Sequence, residues 1–98
     1  MPNDRSSSPS APVVVTLPLA LVRLFPGCVR RVELSAATVG AAIDALDARW
    51  PGMRDRICDS TPRIRRHVNV FVAGTRAGLE TRLAPGVEVL VMTAISGG

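Results

Sequence analysis

The sequence predicts an α+β domain with one main helix laid across one face of a mixed four- to five-stranded sheet. Three observations point there. The hydrophobic pattern has a period of two near both ends of the chain and a helical period between them. Pro-Gly pairs punctuate the changes of period. The 98 residues are 47% hydrophobic but only 3% aromatic, which fits one domain whose core rests on Val, Leu and Ile.

Residues 1–12 are small, polar and proline-containing, and read as a disordered leader. Folded sequence starts at Val13-Val14-Val15-Thr16-Leu17, a β-branched strand with Val13, Val15 and Leu17 on one face. Pro26-Gly27 marks a turn, and Val29 to Leu34 reads as a second, antiparallel strand. Val39, Ile43, Leu46 and Trp50 then recur at helical spacing and form one stripe. Thr38 stands at the N-cap position, Asp44 and Asp47 lie off the stripe, and Pro51-Gly52 ends the helix. Met53 to Arg66 reads as irregular and Arg-rich, with Ile57 as a core anchor. Val68 to Val72 is the clearest strand, with Val68, Val70 and Val72 on one face, and Gly74 ends it. Turns around Gly78 and a short strand near Leu79 follow, and Pro85-Gly86 leads into a last strand, Val87 to Met92. Its inward face is Val87, Val89 and Val91, and residues 93–98 remain as a flexible tail.

The order β-β-α-β-(β)-β supplies one long helix to bury the rows of aliphatic side chains on the sheet. This is the ubiquitin-like β-grasp arrangement, with first and last strands parallel and adjacent in the middle of the sheet and the domain spanning residues 13–92.

Composition and motifs exclude several functions. No apolar run approaches the roughly 20 residues of a transmembrane helix, so no membrane partner is expected. The first ten residues lack the apolar centre of an export signal, and Cys28 and Cys58 form neither a CxxC pair nor a disulfide framework. Two free thiols in a reducing cytoplasm are expected. His67 is the single histidine, and with the two cysteines it has no metal-ligand spacing. No nucleotide-binding loop and no nucleophile motif occur. The net charge of +4 comes from arginine alone, with no lysine in the chain. Arg54, Arg56, Arg63, Arg65 and Arg66 cluster, but no aromatic residue is interleaved for base stacking. A solvated loop or a dock for an acidic partner fits them better than nucleic acid does.

The chain ends in Thr93-Ala94-Ile95-Ser96-Gly97-Gly98. Six extended residues reach about 20 Å. Two glycines without Cβ atoms suit a narrow channel in a partner. The reactive group is the α-carboxylate of Gly98, a poor electrophile that needs activation by another protein.

These features resemble the MoaD/ThiS family of sulfur carriers. The resemblance runs from Val13 to Gly98. It is carried by Thr38-Val39-Gly40 and Leu46, Trp50-Pro51-Gly52, the run from Arg66 to Val72, Pro85 to Val89, and Ile95 to Gly98. The His67 to Val72 run looks most like the CysO-type branch, and the Ser-Gly-Gly ending is similar to the small subunit of molybdopterin synthase. The resemblance implies a cosubstrate, not a catalyst. An E1-like adenylyltransferase would use ATP and Mg²⁺ to activate Gly98, and a sulfur donor would then convert it to a thiocarboxylate. Ser96 and Gly97 would enter the partner with it. The sulfur would pass to an acceptor synthase of the cysteine, molybdopterin or thiamin type. Without lysine, an activated terminus finds no internal lysine amine to acylate. The same tail would serve a ubiquitin-like modifier conjugated through Gly98, and a β-grasp binding module without tail chemistry is the third reading.

Strand alternation also predicts a docking patch. If Val68, Val70 and Val72 face the helix, Phe71 faces away, and Leu90 and Met92 do the same on the last strand. One helix covers one face, so these three apolar side chains are left at the root of the tail.

Overall fold

A computed structural model describes residues 12–61 and 63–93. The expected leader, apart from exposed Pro12, and the tail from residue 94 onward, with Ser96, Gly97 and Gly98, lie outside the described residues. Five strands and three helices follow in the order β1 (Val13–Thr16), α1 (Leu19–Val22), β2 (Arg31–Leu34), α2 (Val39–Arg49), α3 (Met53–Ile57), β3 (Val68–Val72), β4 (Thr75–Arg76) and β5 (Glu88–Thr93).

The strands form one mixed sheet in the order β2-β1-β5-β3-β4. β1 and β5 run parallel in its middle, with Val15 opposite Val89, and every other pairing is antiparallel. This is the expected β-grasp topology. Parallel pairing of β1 with β5 needs a crossover, and the chain between them supplies it as α2 with its flanking segments.

The core fills the space between α2 and one sheet face. Val13, Val15, Val70, Val89 and Val91 meet Val39, Ile43 and Leu46 there, each at most 2% exposed. The Thr38 hydroxyl caps α2, accepting from the Ala41 N–H at 3.1 Å. The loop after β4 satisfies two more free donors, since Thr81 and Leu79 carbonyls accept from the Val39 and Gly40 N–H groups. Trp50 is the C-cap residue of α2 and is half-buried, at the edge of the stripe rather than within it.

Several elements differ from the sequence reading. β2 begins at Arg31 instead of Val29, and Val29 is exposed. The chain after Pro18 turns into the short helix α1, which places Leu21 in the core. Met53–Ile57 is helical rather than irregular, burying Met53 and Ile57 completely. Gly52, at φ 102°, makes the sharp corner into α3. Asp47, read only as off the stripe, accepts from the Gly52 and Arg54 N–H groups, both at 3.0 Å, and so ties the two helices together. The short strand lies at Thr75–Arg76, not near Leu79, because Ala73 and Gly74 both adopt positive φ and reverse the chain in two residues. β5 is also shifted by one residue, Glu88–Thr93 instead of Val87 to Met92, and Thr93 pairs with Val68.

Candidate functional site

The open face of the sheet is built by register. One row across it reads Arg31, Thr16, Leu90, Phe71 and Arg76, each opposite the next. Met92 lies one step along β5, opposite Asn69. Among the described residues no helix covers this face, and Leu90 is 40% exposed, Met92 46% exposed, and Phe71 half-buried. The structure brings the three together around a shallow concavity of about 440 Å³, closed at one end by Ala73, Gly74 and Glu88. Glu88 pairs with Arg31 at 3.6 Å on the exposed surface.

Sequence reasoning missed one member of this surface. Leu19 opens α1 and is 48% exposed. It shares a neighbouring concavity of about 300 Å³ with Arg30, Leu90, Met92 and Thr93. The apolar band therefore runs from Phe71 through Leu90 and Met92 to Leu19. Pro18 was the available signal, because a proline before an apolar run fits a helix start. β5 delivers the chain to the rim of this band at Thr93.

Other reactive groups play no visible part. Cys28 and Cys58 are unpaired thiols, and burial pushes both upward from the ordinary thiol pKa. Neither is activated as a nucleophile. His67 is exposed just before β3. Among the described residues, no three His, Cys, Asp or Glu side chains come close enough to hold a metal ion. Asp59 accepts from the Thr61 hydroxyl and N–H, which holds its carboxyl below the usual range, as part of a local turn. Also among the described residues, no helix is long and apolar enough to cross a membrane.

The geometry matches known proteins. The sulfur carrier protein CysO of Mycobacterium tuberculosis is 34% identical over 92 residues, covering 88% of this chain and 98% of the relative. Small archaeal modifier protein 1 of Haloferax volcanii is 36% identical over 69 residues, covering 69% of this chain and 79% of that protein. Among solved structures, the Amycolatopsis orientalis BexX/CysO complex contains a chain that superposes with a TM-score of 0.78 at 29% identity, covering 88% of this chain and 99% of that one. A profile of the ThiS family matches residues 20–98. With that match and a relative aligned over nearly its whole length, the chain belongs to the ThiS family of small sulfur carrier proteins.

Proposed function

We propose that this chain carries sulfur as a thiocarboxylate on Gly98. The observation that supports it most directly is where β5 ends. Central strand β5 leads at Thr93 into five further residues that end in Gly97-Gly98, beside an uncovered apolar band. A partner seated on Leu90, Met92 and Phe71 would have the terminus aimed at its own active site. Exposed apolar patches of this kind mark interaction sites.

The chemistry runs in two steps. The Gly98 carboxylate attacks the α-phosphate of ATP on an E1-like adenylyltransferase that binds Mg²⁺. Pyrophosphate leaves and an acyl-adenylate forms. A persulfide on a sulfur donor, a sulfurtransferase or cysteine desulfurase, then attacks the acyl carbon and expels AMP, and a second thiol cleaves the resulting acyl disulfide, forming a disulfide with the donor and releasing the thiocarboxylate. The thiocarboxylate is a better nucleophile than the carboxylate at neutral pH and passes its sulfur to an acceptor synthase in cysteine, molybdopterin or thiamin biosynthesis. The chain is the cosubstrate throughout, and cytoplasmic chemistry suits its two unpaired thiols. The relatives named CysO support the carrier role.

Incubation with the cognate adenylyltransferase, ATP, Mg²⁺ and sulfide should replace one terminal oxygen by sulfur, read by intact-protein mass spectrometry. Gly97→Val should stop this while leaving the circular dichroism unchanged. Thiocarboxylation of that variant at the normal rate would remove the narrow-channel argument. The likeness to small archaeal modifier protein 1 favours a second reading, conjugation through Gly98. Covalent adducts on other proteins in place of a thiocarboxylate would establish it.

A further inference from the structure

A second concavity, of about 660 Å³, opens on the opposite side of α1 from the apolar band. Its charged and polar lining comes from Asp55, Arg56, Arg65, His67 and Thr93. α1, α3 and the turn before β3 line it. Arg65 is fixed in place by its Nε–H, which donates to the Asp55 carbonyl at 2.8 Å. Arg56 is exposed in the last turn of α3. Among the described residues, the ion pairs are Arg31 with Glu88 and Arg54 with Asp44. Arg65 is thus held at the cleft and Arg56 lines it; among the described residues neither forms an ion pair, and Asp55 is the one carboxylate of the lining.

Thr93 lines both this cleft and the apolar groove containing Leu19, Leu90 and Met92. β5 therefore ends between an arginine-bearing wall and an apolar one. Residues 94–98 span at most about 18 Å when extended. An enzyme that takes Gly98 into its active site must approach Thr93 within that distance. A docked partner of ordinary size covers about 800 Å² of each surface, a disc of about 16 Å radius. Such a footprint centred on the tail root includes both walls.

We propose that the cleft of Arg56 and Arg65 is a second docking surface, which receives an acidic loop of the enzyme that adenylates Gly98. The proposal rests on the carrier reading above and specifies the partner's chemistry. The two walls divide the work. Apolar contact supplies affinity once the surfaces touch. The exposed guanidinium groups speed encounter and set orientation, and charges at an interface rim act mainly through the association rate. A carrier that must leave one enzyme for the next benefits from fast capture without long residence. Nucleic acid is the competing occupant, and the cleft offers its bases no Phe, Tyr or Trp to stack on.

The test is steady-state adenylation of Gly98, followed by pyrophosphate release with the full-length chain and its cognate adenylyltransferase at low and physiological salt. Arg56→Glu should raise the KM for the carrier about tenfold at low salt with kcat unchanged, as expected for lost electrostatic steering. Arg56→Ala should fall between it and the wild type. Arg63→Glu makes the same charge change in a separate cleft beside Asp59 and Glu80, and should move KM less than twofold. Added salt should raise the wild-type KM and erase the difference. Equal effects of Arg56→Glu and Arg63→Glu, in a wild type that is adenylated normally, would overturn the docking surface and leave the carrier role standing. A wild type that is never adenylated would overturn both. Tight binding of a single-stranded RNA oligomer that Arg56→Glu abolishes, with KM unmoved, would assign the cleft to nucleic acid instead.

Discussion

The two faces of the sheet are made by the same strands and differ in almost everything else. On β5, Val89 and Val91 are 2% exposed against the helix layer, while Leu90 and Met92, one residue away, are 40% and 46% exposed. The larger apolar side chains are the uncovered ones. Full burial of a leucine contributes about 1.5–3 kcal/mol, and Leu90 forgoes part of that. Hydrophobicity alone therefore does not say which residues hold the fold. Register does, because strand side chains alternate and α2 covers one face. The inner face stabilises the domain, and the outer face is the one proposed to meet a partner.

The largest expected effect lies on the inner side. Ile43 is 2% exposed where α2 meets the sheet. Ile43→Ala should destabilise the domain by about 2–5 kcal/mol through lost burial and the cavity left behind. Urea unfolding followed by circular dichroism measures it. A loss well under 1 kcal/mol would mean that the inner face is not the stabilising one, and the contrast between the faces would collapse.

A smaller effect tests how the helix layer is held over that face. Asp47 bridges α2 to α3 through the N–H groups of Gly52 and Arg54. Its carboxylate does for α3 what an N-cap side chain does elsewhere, since Gly52 has none. Asp47→Ala should cost about 1 kcal/mol, in the range for a lost cap. In a domain of this size that lowers Tm by about 4–8 °C. Amide exchange should quicken at Gly52 and Arg54 first. Unchanged exchange at both would show that packing of Met53 and Ile57 alone fixes the corner.

How much of this was legible follows the same division. The inner face was readable because long periodic segments made it. Val13 to Leu17, Val39 to Leu46 and Val68 to Val72 each repeat their period often enough to stand out. The misses are short. α1 has four residues, all apolar, so its sequence has no polar face to set a period. α3 has five, and its charges masked the helix and the burial of Met53, although Ile57 was read correctly as a core anchor. β4 has two, and its position depended on Ala73 taking a left-handed conformation that alanine rarely adopts. On the outer face, Phe71, Leu90 and Met92 followed from alternation once the strands were assigned. Leu19 and the cleft of Arg56 and Arg65 did not, since both depend on where α1 and α3 fold back beside the end of β5.

The smallest expected change in stability is also the one that best separates the faces. Leu90→Glu places a charge on the outer side of β5, between Thr16 and Phe71. At 40% exposure the carboxylate can reach water, so it avoids the cost of a buried charge. What is lost is part of the contact with Phe71, and cross-strand pairs contribute about 0.2–1 kcal/mol. Arg76 stands in the same row and favours the new carboxylate, while Glu88, two residues back on the same face and paired with Arg31, opposes it, so the two charges roughly offset. Tm should therefore fall by only a few degrees, far less than for Ile43→Ala. Binding to the adenylyltransferase should weaken sharply, because the centre of the apolar band would then carry a charge that docking must desolvate. Calorimetric titration of the folded variant against the enzyme reads this directly. A large fall in Tm would show that Leu90 belongs to the core, and unchanged affinity in a folded variant would show that partners dock elsewhere.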